Sequence, residues 1–338
     1  MGSHRRLVQP SGFNRGAGAA LCVLSAAAAA LGAVPADAAP SEGTRAEVDR
    51  LYEQAEQATE AFNKADERAD ALREEISTAQ DGIARQQERV NSMREALGSL
   101  AGAQYRSGGL DPSLALLFSE DPEDYLDKAA VLDRINAHQA GELKDLQEAL
   151  RELAQERAEA ARTLGELETS RKAVATHKRA VEKKLAKARE LLNTLPSDER
   201  AAYDRASRSG RTEMPDLSGA VAPSGRAAAA VAAAQSALGK PYVWGANGPN
   251  GFDCSGLMQW SYARAGVSLP RTSQAQRYAG RQVPLSQARP GDLVTYRGDA
   301  SHVGMYVGNG QVIHAPYPGA PVRYDPVGMM PGATVTRP

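Results

Sequence analysis

The segment "SHVGMYVGNGQVIHAP", Ser301 to Pro316, decides how the C-terminal part of this 338-residue chain must fold. Gly308-Asn309-Gly310 reads as a hairpin turn between two runs of short-strand character. A two-residue loop at Asn309–Gly310 would pair Met305 with His314 and set His302 and His314 on opposite faces. A three-residue loop pairs Val307 with Gln311 and Gly304 with His314. His302 and His314 then become diagonal neighbours on one face, with Tyr306 and Val312. The opposite face carries Val303, Met305, Val307 and Ile313, a uniformly apolar set, which favours the three-residue loop. Flanking strands are expected around 292–296 and 322–325.

Upstream, "NGFDCSGLMQW" (Asn250 to Trp260) places Asp253 as an N-cap and Cys254 at the first position of a helix that reaches about Ala265 and ends at Gly266. Backbone N–H groups and the positive end of the helix dipole stabilise a thiolate there, so a lowered thiol pKa is expected. Gly256 keeps the first turn uncrowded for an approaching substrate backbone. An alanine-rich helix over 227–238, ended by Gly239 and Pro241, precedes this segment. A cysteine at a helix start and two histidines on one strand face make a nucleophile, a base and an orienter. His302 would take the thiol proton, and His314 would hold the imidazole in the right tautomer. Taken singly, each histidine is more often structural, and a lone cysteine is also a small buried apolar residue in many cores. Zinc would need three or four ligands, and no Cys-x-x-Cys or His-x-x-x-His spacing accompanies these residues. Neither a metal nor another cofactor is expected.

The first half of the chain has a different period. From Val48 to Leu100 apolar residues recur in alternating steps of three and four, through Leu51, Ala55, Ala58, Phe62, Ala65, Ala69, Leu72, Ile76 and onward, with Gln86 the one polar member. A second seam runs from Leu143 to Leu195, interrupted by Arg157, Arg171 and Lys178. Gly108, Gly109, Pro112 and Pro122 break the chain between them. The second helix is expected to begin near Pro122, with Asp121 as its cap. Two long helices joined by a turn predict an antiparallel coiled-coil hairpin over 41–205, with arms roughly 85 to 120 Å long. The plain reading is a spacer rod. The cluster Leu114, Leu116, Leu117 and Phe118 at the hairpin tip has no obvious core to enter and suggests a docking surface. His138 and His177 are isolated on helix faces and read as solvated. Residues 206–226, rich in Ser, Gly and Pro, read as a flexible linker before a C-terminal domain over 227–338.

Arg5, Arg6 and Arg15, an uncharged run from Ala17 to Val34, and "ADA" at 36–38 have the pattern of a signal peptide cleaved after Ala38. Cys22 would leave with it. The remaining chain would hold Cys254 alone, which forms no internal disulfide and in an oxidising compartment is a reactive-thiol candidate. Residues 41–205 carry nine more acids than bases, whereas 227–338 carry five more bases than acids and no Glu. That mild basicity suits an anionic cell wall, and no Lys/Arg run resembles a nucleic-acid patch.

The motifs "GKPYVWGANGPNGFDCSGLMQW", "LPRTSQAQ", "PGDLV" and "SHVGMYVGNGQVIHAP" resemble, in order, those of the NlpC/P60 peptidoglycan hydrolases. The resemblance covers about 227–338. It implies a papain-like α+β domain and a secreted D,L-endopeptidase that cuts the γ-D-glutamyl–diaminopimelate bond of wall stem peptides. Cys254 matches the nucleophile, His302 the base, and His314 the third polar residue, which varies in the family. Tyr242 matches the tyrosine bordering the oxyanion site, and Asp253 and Ser273 match residues lining the substrate side of the cleft. No SH3-like domain precedes the catalytic one, a departure from some members that favours intact wall polymer as substrate. The order of signal, coiled coil, linker and catalytic domain also resembles actinobacterial wall endopeptidases. Some coiled-coil wall hydrolases are controlled by a membrane division complex of the FtsE–FtsX type. The rival functions are an N-acetylmuramoyl-L-alanine amidase and an inert wall-binding or hydrolase-activating protein.

Overall fold

The computed structural model describes residues 39–106, 122–208 and 221–338, and residues 41–338 form one compact unit. The expected signal peptide, the Asp121 cap, the apolar cluster at 114–118 and residues 209–220 of the linker lie outside the described residues.

Two helices dominate the first half: α1 (Ala39–Arg106) and α2 (Pro122–Thr194). Their cross-contacts run in opposite directions. Lys184 Nζ donates to Gln54 Oε1 at 2.7 Å, Ser170 Oγ to the Ala65 carbonyl at 2.7 Å, and Gln86 Nε2 to Glu152 at 2.9 Å. As the number rises on α1 it falls on α2, so the pair is the antiparallel hairpin expected. The buried positions fall on the predicted seams: Val48, Leu51, Ala55, Ala69, Leu72, Ile76 and Val90 on α1, and Leu153, Val181, Leu185, Ala188 and Leu195 on α2. The second seam is looser than its pattern implied. Leu143 and Leu164 are each 51% exposed, and Leu164 sits between the charged interruptions at Arg157 and Arg171.

One stretch of α1 departs from the pattern altogether. Glu56, Thr59, Glu60 and Asn63 are buried although polar. They occupy steps of three and four beside the seam, so they form a second face of the same helix. The C-terminal domain covers that face.

After Pro196 a short helix, α3 (Ser197–Arg208), continues from the hairpin. The remaining domain has α4 (Gly225–Ser236), α5 (Cys254–Arg264), the single turn α6 (Ser273–Gln276) and six strands. These are β1 (Arg281–Val283), β2 (Leu293–Tyr296), β3 (His302–Gly308), β4 (Gln311–His314), β5 (Arg323–Pro326) and β6 (Thr334–Arg337), in the antiparallel order β1-β6-β2-β3-β4-β5. The body of the β3–β4 hairpin pairs Met305 with Ile313 and Tyr306 with Val312, the register of a three-residue loop. The expected Val307–Gln311 pair is not made: a bulge at Val307 lets Gly308 pair with Gln311, which leaves a two-residue turn at Asn309–Gly310. The turn needs left-handed backbone at Gly308, Asn309 and Gly310 (φ 110°, 49° and 70°), which its glycines and Asn tolerate. Val303, Met305, Val307 and Ile313 meet Leu257, Met258 and the alanines of α4 on one face. Val294, Tyr296, Val312 and Val335 pack together in a second cluster. The pair β1 and β6 extends the far edge and was not anticipated from the sequence.

Candidate active site

Asp253 caps α5 as expected, its Oδ1 accepting the Gly256 N–H at 2.6 Å, and Cys254 opens the helix. Only glycine fits at 256, because a Cβ there would lie 2.2 Å from the Ala246 carbonyl oxygen. Arg271 grips Asp253 with both arms, Nη2 to Oδ2 at 2.6 Å and Nη1 to Oδ1 at 3.0 Å. The cap therefore cannot rotate away from the helix start. The Val303 N–H beside Cys254 favours its thiolate. Tyr242 is buried, and burial first, then the neighbouring Cys254, pushes its hydroxyl pKa up, so the phenol stays a proton donor.

The two histidines meet as the register implies. His302 Nε2 lies 2.8 Å from His314 Nδ1, and His314 Nε2 lies 2.8 Å from Asp325 Oδ2. Burial opposes the charge on Asp325, but hydrogen bonds from His314 and Arg323, with the positive charge of Arg323, outweigh it and hold the carboxyl at about 2. An ionised Asp325 can only accept, so His314 Nε2 carries its proton and His314 Nδ1 offers a lone pair to His302 Nε2–H. His302 Nδ1 is left as the unprotonated nitrogen. Burial, followed by His314, Arg297 and Arg323, drives the His302 pKa well below its ordinary value, so the imidazole rests neutral. Asp325 was expected only as the end of a strand. Its role emerges from the β4–β5 pairing, which sets Val312 opposite Asp325 and His314 opposite Arg323.

The cleft is occupied by α1. Glu60 Oε1 accepts from the Ser255 hydroxyl at 2.7 Å and lies 3.7 Å from Cys254 Sγ, while its Oε2 accepts the Ser273 N–H at 2.7 Å. One turn earlier, Glu56 Oε2 takes a hydrogen bond from Arg297 at 2.6 Å, and its Oε1 stands 3.7 Å from His302 Nδ1. One turn later, Asn63 bonds both Asp253 and Arg271, each at 3.1 Å. Aromatic pairs fasten either side: Tyr52 stacks on Tyr317 with centroids 5.1 Å apart, and Phe62 meets Trp244 edge-on at 5.2 Å. Thiol, base, Asp253 and Ser273 are thus all brought together, and all lie under one helical face.

That cover overturns the expectation of an activated thiol. Burial first, then the carboxylates of Glu60, Asp253 and Glu56, raise the Cys254 pKa well above its ordinary value, against the favourable Val303 N–H. The helix start is where the pattern put it. What the pattern lacked is an acid, Glu60, delivered to the thiol from 194 residues away.

Residues 239–331 match the sequence profile of the NlpC/P60 family. The C-terminal domain belongs to the NlpC/P60 family. Over 99 residues the chain is 48% identical to a probable endopeptidase of Mycobacterium tuberculosis, a match covering 29% of this chain and 26% of that protein. Over 97 residues it is 55% identical to the probable endopeptidase p60 of Listeria monocytogenes, covering 28% of this chain and 20% of that one. Among solved structures, the P60 domain of an antigen of Mycobacterium avium subspecies paratuberculosis is 40% identical, covers 33% of this chain and 93% of its own, and gives a TM-score of 0.31. The chain therefore spans about a quarter of the length of the mycobacterial endopeptidase it matches. The NlpC/P60 domain holds Cys254, His302 and His314 within the matched residues, together with Tyr242, Asp253 and Ser273. The face of α1 that covers the cleft falls outside them.

Proposed function

We propose that this chain is a secreted, cell-wall-associated peptidoglycan D,L-endopeptidase, made in a latent form. The observation that carries the reading is that Glu60 and Glu56, one turn apart on α1, cover the Cys254 thiol and His302 Nδ1 respectively. A thiol and an unprotonated imidazole nitrogen facing the same cleft are the two groups acyl transfer requires. With α1 displaced, His302 Nδ1 takes the Cys254 proton and the sulfur attacks the γ-D-glutamyl carbonyl. The carbonyl oxygen gains charge near the α5 N-terminus and the protonated Tyr242 hydroxyl, which stabilise it. Collapse of the adduct breaks the C–N bond, and His302 returns its proton to the departing diaminopimelate amine. Water, deprotonated by His302, then hydrolyses the thioester and restores the thiol. Asp325 and His314 hold the imidazole tautomer throughout. A membrane division complex of the FtsE–FtsX type, acting on the coiled coil, is the proposed releasing partner.

The test uses the full chain in which Glu56→Lys and Glu60→Lys set like charges against Arg297 and Arg271. Both positions lie off the hairpin seam, so the coiled coil keeps its packing. Digested sacculi are read by mass spectrometry. New diaminopimelate amino termini are expected, whereas freed L-alanine amino termini would make the enzyme an amidase. No products from this variant would make the protein a binder.

A further inference from the structure

Arg297 is a residue that the mechanism above leaves unused, and its placement is costly. It adopts left-handed backbone (φ 65°), which a residue with a Cβ takes up only under constraint. Its N–H is tied to the Pro331 carbonyl at 2.8 Å, and Gly332 packs so closely that a Cβ would fall 3.2 Å from the Arg297 carbonyl carbon. The guanidinium is aimed into the cleft, with the side chain 16% exposed, and it donates to Ser301 Oγ at 3.1 Å. A cation beside the general base lowers the basicity of that base, which gives it no value to proton transfer alone.

Glu56 shows what the guanidinium is built to hold. One oxygen of its carboxylate is 2.6 Å from Arg297 and the other 3.7 Å from His302 Nδ1. In acyl transfer, His302 Nδ1 must face the departing amine. A carboxylate that touches Arg297 while reaching toward Nδ1 therefore occupies the leaving-group side of the cleft. When α1 moves away, Glu56 and Glu53 go with it, and of the polar partners described here Arg297 keeps only Ser301. Resting on the endopeptidase reading above, we infer that Arg297 is a specificity-determining residue that binds a free carboxylate on the amino acid released from the scissile bond, and that Glu56 mimics this carboxylate in the latent chain. Diaminopimelate, with a second carboxyl beyond the acylated amine, supplies such a group. A substrate in which that carboxyl is amidated does not.

The experiment keeps the full chain with Glu56→Lys and Glu60→Lys, and adds Arg297→Ala or Arg297→Lys. Two stem tetrapeptides, in which D-alanine blocks the α-carboxyl of diaminopimelate, serve as probes, one with the free side-chain carboxyl of diaminopimelate and one with it amidated. Arg297→Ala is expected to lower kcat/KM for the acid on the order of tenfold to a hundredfold and to change the amide less than threefold, with the loss mainly in KM. Arg297→Lys is expected to recover part of the loss. Equal losses on acid and amide would overturn the assignment, as would no loss on either. In the second case Arg297 is only a clamp for the arm. Binding of both probes to the same chain carrying Cys254→Ala gives a readout without hydrolysis: the acid must bind more tightly, and Arg297→Ala must remove the difference. If neither probe is cut while another wall bond is, the endopeptidase reading fails, and the binding comparison still decides what Arg297 recognises.

Discussion

Asp325 is joined to His302 through His314, so in the proposed mechanism its influence is on proton position and not on contact with substrate. Converting Asp325→Asn removes the charge that fixes the His314 tautomer and lets the amide donate where an acceptor is needed. In the released full chain we expect kcat to fall on the order of tenfold to a hundredfold with KM little changed. His302→Ala, which removes the base itself, should cost on the order of a hundredfold or more. Steady-state rates on a stem peptide check the order, and a larger loss from Asp325→Asn would invert the roles assigned. The thiol gives a prediction at the same scale. Because burial and three nearby carboxylates hold Cys254 protonated, iodoacetamide should label the native full chain slowly at neutral pH. Glu56→Lys with Glu60→Lys should raise the labelling rate by at least tenfold, since both desolvation and two of the acids are removed. Equal rates would mean that the arm does not guard the thiol.

At the scale of elements, α1 serves two packing partners with two faces, and only one of them was legible. Its seam toward α2 is apolar and periodic, so the hairpin could be read from Val48, Leu51, Ala55 and their successors. Its second face is Glu56, Thr59, Glu60 and Asn63, side chains whose usual place is water, so no sequence pattern marks them as buried. The β3–β4 register was legible because one loop length alone gave a consistent apolar face. β1 and β6 were not, being three and four residues long with little alternation. The thiol pKa was misjudged for the same reason the second face was missed. Burial moves the Glu56 carboxyl up to about 8, with Glu53 and Glu60 adding to the rise and Arg297 opposing it. Burial and Asp253 move Glu60 up to about 7, against hydrogen bonds from Ser255 and Ser273. Both values are raised on docking, so the docked arm binds more protons than the free arm. Docking is then strongest below the ordinary carboxylate range and is lost as pH rises through about 7 to about 8. Phe62 against Trp244 provides the probe. Tryptophan emission of the full chain should change between pH 5 and pH 9, and the change should be absent in Glu56→Gln with Glu60→Gln. An unaltered titration in that variant would remove the two carboxyls from the explanation.

For the whole molecule, the question is what energy keeps an acidic arm seated on a basic domain. The opposite net charges of the two halves suggest long-range attraction, but the contacts that matter are desolvated: Asp253 is 0% exposed, Glu56 3% and Asn63 2%. Salt screens such groups weakly, and the cost of burying them offsets most of what their pairing returns. The aromatic pairs Tyr52–Tyr317 and Phe62–Trp244 carry no such cost and contribute about 0.5–1.5 kcal/mol each beyond the area they bury. Attraction between the halves thus favours encounter, while ring packing and the Glu56 and Glu60 hydrogen bonds hold the closed state. Phe62→Ala is therefore expected to release the domain more than salt does. A loss of about 1.4 to 3 kcal/mol in closure corresponds to a tenfold to hundredfold larger open fraction. Sacculus digestion by the full chain should rise by that order in Phe62→Ala, and by less than about threefold when salt goes from 0.1 to 0.5 M. Phe62 lies on the hairpin's own seam pattern as well, so a second substitution on the domain side, Trp244→Ala, must reproduce the gain. If salt releases activity and neither ring substitution does, closure is electrostatic and the packing argument is wrong.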